Sequence, residues 1–418
     1  LMQPFPSVAP FRIDQVTANA GLMAVLFVVQ LGLALAMQRA ANRQAMRLWW
    51  GAALAVLALV VVFFALASWG TSDVTKLSRF YGEAPSLGQV LAEPGRLLFW
   101  GNTLADEPFW VLVGPIVPFL PYRMAAFHGL VVAAYGAVPL LLARHWRIPQ
   151  WGGWWCLLIT CSPMFRGFFQ NGQTRQALAI LLLLPLLLWT ARLARPPRPW
   201  VAAGVLISAL AHATFPVNLA TSLAPLLVRV RAPGEGLKPS ASRRFWLVAA
   251  ALVALLIAVV APLLPVALQK LEHYINATSF FSHYSVRREV IRVQLGMLMG
   301  VALTCWRRRL SVPELWRSEP TRVLVLFAAL HLFLQATVIW QWIPQVTFRL
   351  ADGVAFFQLI AFLAWLRHYQ ALWFVIPALV ITLAEWMFGR ILPSATFTCG
   401  LDDQFLCVPD RWPWLIRY

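Results

Sequence analysis

The segment FFQNGQTRQALAILLLLPLLLW, residues 168–189, changes from a polar loop to an apolar run within a few positions. It places Arg175, Gln173 and Gln176 where the change occurs. Apolar runs of this kind recur along the chain, separated by short loops rich in arginine. A hydrocarbon bilayer offers no water to pair with backbone groups, so such runs are typical of membrane-spanning helices. The segment therefore predicts an all-α polytopic membrane protein.

The composition favours the same class. The chain has 418 residues, of which 60% are hydrophobic and 12% are charged, and its mean hydropathy is +0.70. A water-soluble protein carries about 25% charged residues. The formal net charge of +18 would suggest nucleic-acid binding in a soluble protein. In a membrane protein it is explained by arginines in cytoplasmic loops, so we expect the lipid bilayer, and no nucleic acid, as a partner.

About twelve apolar segments are candidate spans of a single transmembrane domain over residues 1–418. They are 20–37, 48–69, 124–143, 151–165, 176–193, 199–214, 215–230, 245–267, 289–305, 322–342, 352–366 and 370–389. A long external loop, 70–121, carries charges of both signs, which predicts an amphipathic helix. It ends in an apolar stretch with three prolines, which predicts a re-entrant or surface element. The tail, 390–418, is also expected outside, where Cys399 and Cys407 can pair if the compartment is oxidising.

Arginine placement predicts the orientation, because short cytoplasmic loops retain arginine and lysine. Every second loop is basic, from residues 38–47 at the start to the loop that holds Arg307 and Arg322. A single helix over 199–230 would place one basic group outside. We therefore expect a break near His212–Pro216 and two short helices that meet at the outer face.

Some cations break this rule and are expected at the outer ends of spans. An arginine at a helix end can simply reach the lipid headgroups. A guanidinium also binds phosphate oxygens through two parallel hydrogen bonds, and several on one side indicate a site for a lipid-linked phosphate or pyrophosphate. These residues are Arg166, Arg175, Arg287, Arg288 and Arg349.

Groups able to transfer protons or bind sugar rings lie in the same external segments. His212 is either a structural residue at the break or a proton acceptor near neutral pH. Asp73 is either a base or a solvated charge, and Asp352 is within one turn of Arg349 and can simply pair with it. Within a span, His331 is expected to bond to neighbouring helices. The external aromatic and titratable side chains are Tyr81, Tyr274, His283 and Tyr284.

Motifs of soluble-cofactor and metal chemistry are missing from the sequence. There is no phosphate-binding glycine loop, dinucleotide fingerprint, cysteine–histidine metal cluster or serine-hydrolase elbow. We therefore expect no cofactor and no metal.

The order of several short motifs resembles the EpsG/Wzy-type polysaccharide polymerase family. The motifs are Asp73 with Tyr81, Glu107-Pro108-Phe109-Trp110, the segment 172–179, Ala211-His212-Ala213 and Phe348-Arg349-Leu350. An Arg-Gln-x-x-Ala element followed by a histidine is the most specific part. The chain departs from the family at Ala213-Thr214, where a continuation containing serine is expected.

Members of that family join undecaprenyl-pyrophosphate-linked repeat units into O-antigen or exopolysaccharide. They act on the outer, periplasmic face of the bacterial cytoplasmic (inner) membrane. The resemblance implies that Arg175 and His212 belong to the site, followed by Asp73, Tyr81 and Arg349. It also implies an undecaprenyl-pyrophosphate-linked oligosaccharide as substrate, with a flippase and a chain-length regulator as pathway partners.

Together, these observations predict a metal-independent glycosyltransferase. Arg175 is expected to stabilise the leaving pyrophosphate, and His212 or Asp73 to take the proton of the acceptor hydroxyl. The residues expected to bind substrate are Arg166, Gln176, Arg287, Arg288, Arg349, Tyr81, Tyr274, Tyr284 and His283.

Two alternatives remain open. An O-antigen ligase, or a glycosyltransferase that uses a polyprenyl-phosphate sugar, would also place arginines and a base outside. A transporter or flippase of lipid-linked oligosaccharide would instead place charged or broken helices near the membrane centre, in two related halves. The sequence shows no internal repeat.

Overall fold

A computed structural model of the chain describes residues 13–40, 42–67, 124–162, 174–212, 214–228, 286–336 and 344–391. Regular structure in these ranges is helical throughout, without a β-strand. The α-helices are α1 Ile13–Arg39, α2 Arg43–Ala67, α3 Met124–His145, α4 Gly152–Thr160, α5 Thr174–Thr190, α6 Arg198–Ala211, α7 Phe215–Leu223, α8 Val286–Arg308, α9 Val312–Arg317, α10 Glu319–Ala336, α11 Pro344–His368 and α12 Val375–Ile391. Short 3-10 helices occupy Pro149–Trp151, Ala224–Val228 and Leu372–Phe374.

The predicted apolar segments within these ranges are all largely helical, although α4 is shorter than the segment 151–165. The segment 245–267, the loop 70–121 and the chain beyond Ile391 lie outside the described residues. By length and composition, one described helix, α11, is long and apolar enough to cross a membrane. Its apolar part is Leu350–His368, and most of it is buried in the bundle. The core helix of a water-soluble protein has the same features, so the number of spans stays a prediction. The described residues are shown to be all-α.

Helix α11 lies at the centre of the described bundle. Its Phe356, Phe357, Phe362 and Trp365 side chains are almost completely buried. It packs along α10 and also meets α5, α7 and α8. Large aromatic side chains contribute most of the buried area of a core, so α11 is the element against which the other helices are positioned.

The predicted break between two short helices is present. Helix α6 ends at Ala211, His212 has an extended backbone (φ −161°, ψ 140°), and α7 begins at Phe215. Pro216 lies in the first turn of α7, where its missing N–H removes no intrahelical hydrogen bond. The chain thus reverses at His212 and forms a helical hairpin beside α5, with which both helices pack.

The loops predicted to be cytoplasmic meet at one end of the bundle, here called the basic end. The Arg144 guanidinium lies 5.8 Å from the Trp50 ring, and that of Arg367 lies 5.4 Å from the Trp146 ring. The Trp146 indole N–H donates to the Leu193 carbonyl at 2.9 Å. These contacts join the ends of α2, α3, α5 and α11.

Two further contacts bring α8, α10 and α12 to the same end. Arg192 pairs with Glu319 at 3.3 Å, and Arg308 Nη2 donates to the Gln370 carbonyl at 2.8 Å. Acidic residues are scarce here: Glu314 and Glu319 are the two in the described part of this end. Its cations are Arg39, Arg43, Arg47, Arg144, Arg147, Arg192, Arg195, Arg198, Arg307, Arg308, Arg309, Arg317, Arg322 and Arg367.

Four of the helices that end here, α3, α5, α8 and α11, have the same kind of C-terminal cap. In the described chain the non-glycine residues with positive φ are Arg147 (60°), Arg192 (55°), Arg309 (53°) and Gln370 (50°). Each follows a helix, and the next residue donates its N–H to the carbonyl five positions earlier, as Ile148 does to Ala143 at 2.8 Å. This is the Schellman motif, in which glycine is usual. Here arginine fills three of the four positions, where a cation favours the carbonyl end of a helix.

Candidate functional site

Three of the predicted site residues have described side chains: Arg175, Gln176 and His212. Arg287 and Arg288 lie in the first turn of α8, and Arg349 in the first half of α11, but their side chains lie outside the description. The remaining predicted residues fall outside the described ranges altogether. They are Asp73, Tyr81, Arg166, Tyr274, His283 and Tyr284.

His212 is buried at the turn between α6 and α7 and is held by Thr214. The Thr214 backbone N–H donates to His212 Nδ1 at 3.1 Å, and Thr214 Oγ1 lies 2.8 Å from the same nitrogen. A nitrogen that accepts a backbone N–H carries no proton. This geometry therefore assigns the proton of the neutral imidazole to Nε2. In this tautomer His212 is a hydrogen-bond donor at Nε2, which does not fit the expected role of proton acceptor.

Asn218 connects this turn to α11. Its Nδ2 donates to Thr214 Oγ1 at 3.0 Å. A Cβ added at Gly353 would lie 3.0 Å from Asn218 Oδ1 and 3.2 Å from Ile180 Cδ1. The absence of a side chain at Gly353 therefore allows α5, α7 and α11 to meet at one point.

The predicted Arg175–Gln176 pair lies one turn from that point. Gln176 is four residues before Ile180, so both side chains lie on the same face of α5. Gln176 is buried, with 1% of its side chain exposed, and Arg175 is half-buried. The structure thus brings the first turn of α5 close to the turn that holds His212.

Asp352, adjacent to Gly353, carries a buried carboxylate, with 7% of the residue's surface exposed. Asp352 and Phe356 are one turn apart on α11 and share a face. The Phe356 ring centroid lies 4.6 Å from that of Tyr135 on α3, and Tyr135 is within electrostatic range of Asp352. Asp352 therefore faces α3, whereas the sequence suggested only a pairing with Arg349.

We call Tyr135, Gln176, His212, Thr214, Asn218 and Asp352 the polar cluster. Gln176 lies 14 positions before the end of α5, and Asp352 lies 16 positions before the end of α11. At 1.5 Å per residue, both are about 21–24 Å from the basic end. His212 follows the 14 residues of α6, which begins at the basic end, and so has a similar depth.

This arrangement can support proton transfer and anion binding. The buried Asp352 carboxylate can accept a proton or stabilise a positive charge. The His212 Nε2–H can donate a hydrogen bond to a developing anion. Arg175, half-buried at the edge, offers a permanent positive charge.

A second buried polar group, the amide–imidazole triad, links α8, α10 and α11. Gln294 and Gln358 donate to each other's side-chain oxygen, both at 2.6 Å. His331 Nδ1 lies 2.7 Å from Gln294 Nε2 and 2.9 Å from Gln358 Oε1. The expectation that His331 bonds to neighbouring helices is thereby confirmed.

The sequence reasoning missed Tyr135 and Asp352 as members of the polar cluster. A signal for Asp352 was available, because an Asp-Gly pair inside an apolar run combines a costly charge with a position of close helix approach. Tyr135 carries no such signal, since tyrosine is common in apolar helices. Among the described residues, no group of three His, Cys, Asp or Glu side chains could hold a metal ion.

No protein-family model matches the chain, and comparisons with curated proteins and with solved structures returned no significant match. The resemblance to polysaccharide polymerases therefore rests on the short motifs of the sequence alone.

Proposed function

We propose that the chain is a multi-pass protein of the bacterial cytoplasmic membrane with about twelve spans. Support comes from the surface of the described helices, which exposes many large apolar side chains, as lipid-facing helices do. A water-soluble bundle rarely leaves so much apolar surface uncovered. Examples are Val28, Leu35, Leu54, Leu130, Leu141, Leu206, Leu298, Phe333 and Val380.

Exposed tryptophans support the same proposal. Indole rings favour the boundary between lipid and water, and those that are exposed in the described chain lie next to the arginines of the basic end. With the positive-inside rule, this makes the basic end cytoplasmic and directs the polar cluster towards the periplasm. The residues are Trp189, Trp200, Trp306, Trp316 and Trp373.

Within this membrane domain we propose a polysaccharide polymerase that transfers glycosyl units between undecaprenyl-pyrophosphate carriers. The observation that carries the proposal is the polar cluster, in which the turn of His212 and helix α5, one turn after Gln176, meet α11 next to the buried Asp352. The cluster lies far from the basic end. In the proposed orientation this is the side on which lipid-linked repeat units are polymerised in the family that the chain resembles.

In the proposed reaction, the acceptor hydroxyl oxygen attacks the anomeric carbon of the donor sugar. The bond from that carbon to the pyrophosphate oxygen breaks, and the electron pair leaves with the lipid pyrophosphate. Arg175 neutralises the pyrophosphate, and His212 Nε2–H donates to one of its oxygens. The hydroxyl proton passes to a carboxylate, Asp73 or Asp352.

The remaining predicted residues have supporting roles in this proposal. Gln176 would orient the donor sugar or its phosphate from the first turn of α5. The outer arginines would share the phosphate charge, and the loop aromatics would stack on sugar rings. These residues are Arg166, Arg287, Arg288, Arg349, Tyr81, Tyr274, Tyr284 and His283.

The test uses purified full-length protein in detergent with lipid-linked repeat units. We expect new glycosidic bonds, seen by mass spectrometry as products of two or more repeats, without added metal or nucleotide. Arg175→Lys is expected to lose most activity, because lysine keeps the charge and lacks the paired N–H groups. Arg195→Lys, on the exposed basic end, is the matched control. Full activity of Arg175→Lys would contradict the proposed phosphate contact.

One observation favours a second candidate. The amide–imidazole triad lies between α8, α10 and α11 near the middle of those helices, where a transporter of lipid-linked oligosaccharide would need polar groups. A transporter forms no new bond, so the same assay with purified protein separates the two functions. A ligase or a polyprenyl-phosphate-sugar glycosyltransferase would form a bond with a different acceptor or donor.

A further inference from the structure

A group of buried polar atoms at the basic end lacks partners in the described chain. Arg322 Nε and Nη2 are both buried from solvent and make no hydrogen bond there. Ser318 Oγ and Glu319 Oε1 are also buried and also lack a hydrogen-bond partner there. Buried polar atoms without a partner are rare and call for an explanation such as a bound ion or ligand.

These atoms come from one turn of chain at the start of α10. Ser318 and Arg322 are four residues apart, and the Arg322 backbone N–H donates to the Ser318 carbonyl at 3.2 Å. Their side chains therefore lie on one face. The other carboxylate oxygen of Glu319, Oε2, pairs with Arg192 Nη1 at 3.3 Å. This ion pair leaves Oε1 able to accept a hydrogen bond from another group.

The hydrogen-bonding types of these unpartnered atoms indicate which ligand could bind to them. Nε and Nη2 form the side edge of a guanidinium, whose two parallel N–H groups match two oxygens of a phosphate. Ser318 Oγ adds a third donor, and Glu319 Oε1 requires a ligand that itself donates a hydrogen bond. A phosphate group that carries a hydroxyl nearby satisfies all four atoms.

We propose that Ser318, Glu319 and Arg322 form a binding site for one glycerophospholipid headgroup of the phosphatidylglycerol type. The phosphate lies on the side edge of Arg322 and on Ser318, and a glycerol hydroxyl donates to Glu319. The exposed Trp316 and Arg317 beside the site belong to the tryptophan- and arginine-rich surface of the basic end. The proposal that the phosphate belongs to a lipid depends on the membrane embedding proposed above. Phosphate recognition by Arg322 does not depend on it.

The experiment is native mass spectrometry of the full-length protein in detergent with added lipid. We expect phosphatidylglycerol to be retained about tenfold more tightly than phosphatidylcholine, whose headgroup has no donor for Glu319, a difference equivalent to one or two hydrogen bonds. Arg322→Gln is expected to abolish this preference. Arg317→Gln removes the same charge from an exposed neighbouring position and should retain it.

Two further variants keep the test informative if Arg322→Gln does not fold. Arg322→Lys retains the charge without the paired N–H groups, and Ser318→Ala removes one donor; both should weaken the preference. Equal weakening by Arg317→Gln and Arg322→Gln would show diffuse attraction of charge and overturn the site. Binding of inorganic phosphate as tight as that of phosphatidylglycerol, measured by thermal shift, would overturn the lipid source. Bond formation from lipid-linked repeats is a separate readout, so failure of the polymerase function would not be mistaken for failure of this site.

Discussion

Polar side chains are mostly exposed at the basic end of the described bundle, whereas they are buried in the polar cluster. At the basic end the arginines are mostly exposed, and their contacts are cation–ring pairs, caps and one ion pair, Arg192–Glu319, whose side chains are 53% and 21% exposed. In the polar cluster, by contrast, Asp352, Gln176 and His212 have at most 7% of their surface exposed.

This difference in burial suggests different roles for the two sets of polar groups: membrane orientation for the exposed arginines, and chemistry for the buried side chains. Exposed ion pairs contribute about 0–1 kcal/mol each, so the exposed charges of the basic end can be lost singly at little cost. Its collective charge is what fixes which end faces the cytoplasm in our proposal. A buried carboxylate or imidazole is costly unless hydrogen-bonded, and such groups are common where a protein performs proton transfer or binds ions.

The largest expected effect is on catalysis by the polar cluster. His212→Ala removes the Nε2–H donor and should lower the rate of glycosidic bond formation about 10²–10³-fold, measured in single turnover. Ser208→Ala is the matched control, because Ser208 lies one turn earlier on α6 and donates only to the Ala179 carbonyl at 2.8 Å. Equal losses in the two variants would mean that the α6–α5 contact matters and His212 has no special role.

The next effect is on stability at the amide–imidazole triad. Gln358→Leu leaves Gln294 and His331 buried without their partner, which should reduce the free energy of unfolding by about 1–3 kcal/mol. Changing Gln294 to Leu as well should recover part of the loss, because the mutual amide pair is then removed from both sides. The measurement is thermal unfolding in detergent of both single variants and the double variant. Additive losses would contradict a coupled triad.

A smaller effect is expected where the helices meet at Gly353. Gly353→Ala places Cβ 3.0 Å from Asn218 Oδ1, so α7 or α11 must shift, at a cost of about 1 kcal/mol or more. Gly32→Ala is the control, because nothing lies within 4 Å of its added Cβ in α1. That change should stabilise the helix by about 0.5–1 kcal/mol. Melting temperatures that move in the same direction would refute the close contact.

The smallest effect tests the caps of the basic end. Arg309→Gly relieves a side chain held at φ 53° and should raise the free energy of unfolding by about 0.5–1 kcal/mol. Arg308→Gly, one residue earlier, should lower it, because Arg308 ends α8 and donates to the Gln370 carbonyl. The pair is compared by thermal unfolding. If both changes destabilise, the cation at the helix end contributes more than the backbone strain.

Much of the helix order could be predicted from the sequence, and the pairing of helices could not. Loop charges alone predicted the break at His212, because only a break keeps both neighbouring basic loops on one side. The pairing of α8 with α12, or of α10 with α11, had no such signal. Residues such as Leu298, which is exposed, and Met297, which is buried, are both strongly apolar, so hydrophobicity does not distinguish the exposed side of a helix from its packed side.

The site was predicted only in part for a similar reason. Arg175, Gln176 and His212 could be recognised because polar residues at the ends of apolar runs are unusual. Asp352 was assigned to Arg349 because the two are neighbours in sequence. Its position near Tyr135 depends on the rotation of α11 about its axis, which the buried aromatics Phe356 and Phe362 determine through tertiary packing.

The hairpin of α6 and α7 has a consequence for the shape of the proposed membrane domain. The 14 residues of α6 span about 21 Å, whereas the hydrocarbon layer is about 30 Å thick. Since α6 starts at the basic end, its turn would lie below the opposite lipid surface of the proposed membrane domain. Irregular backbone at that depth requires surrounding protein or water. In the proposed membrane domain, a water-filled funnel open to the periplasm would therefore extend to His212. The pyrophosphate of a lipid carrier would have to enter this funnel to reach the site.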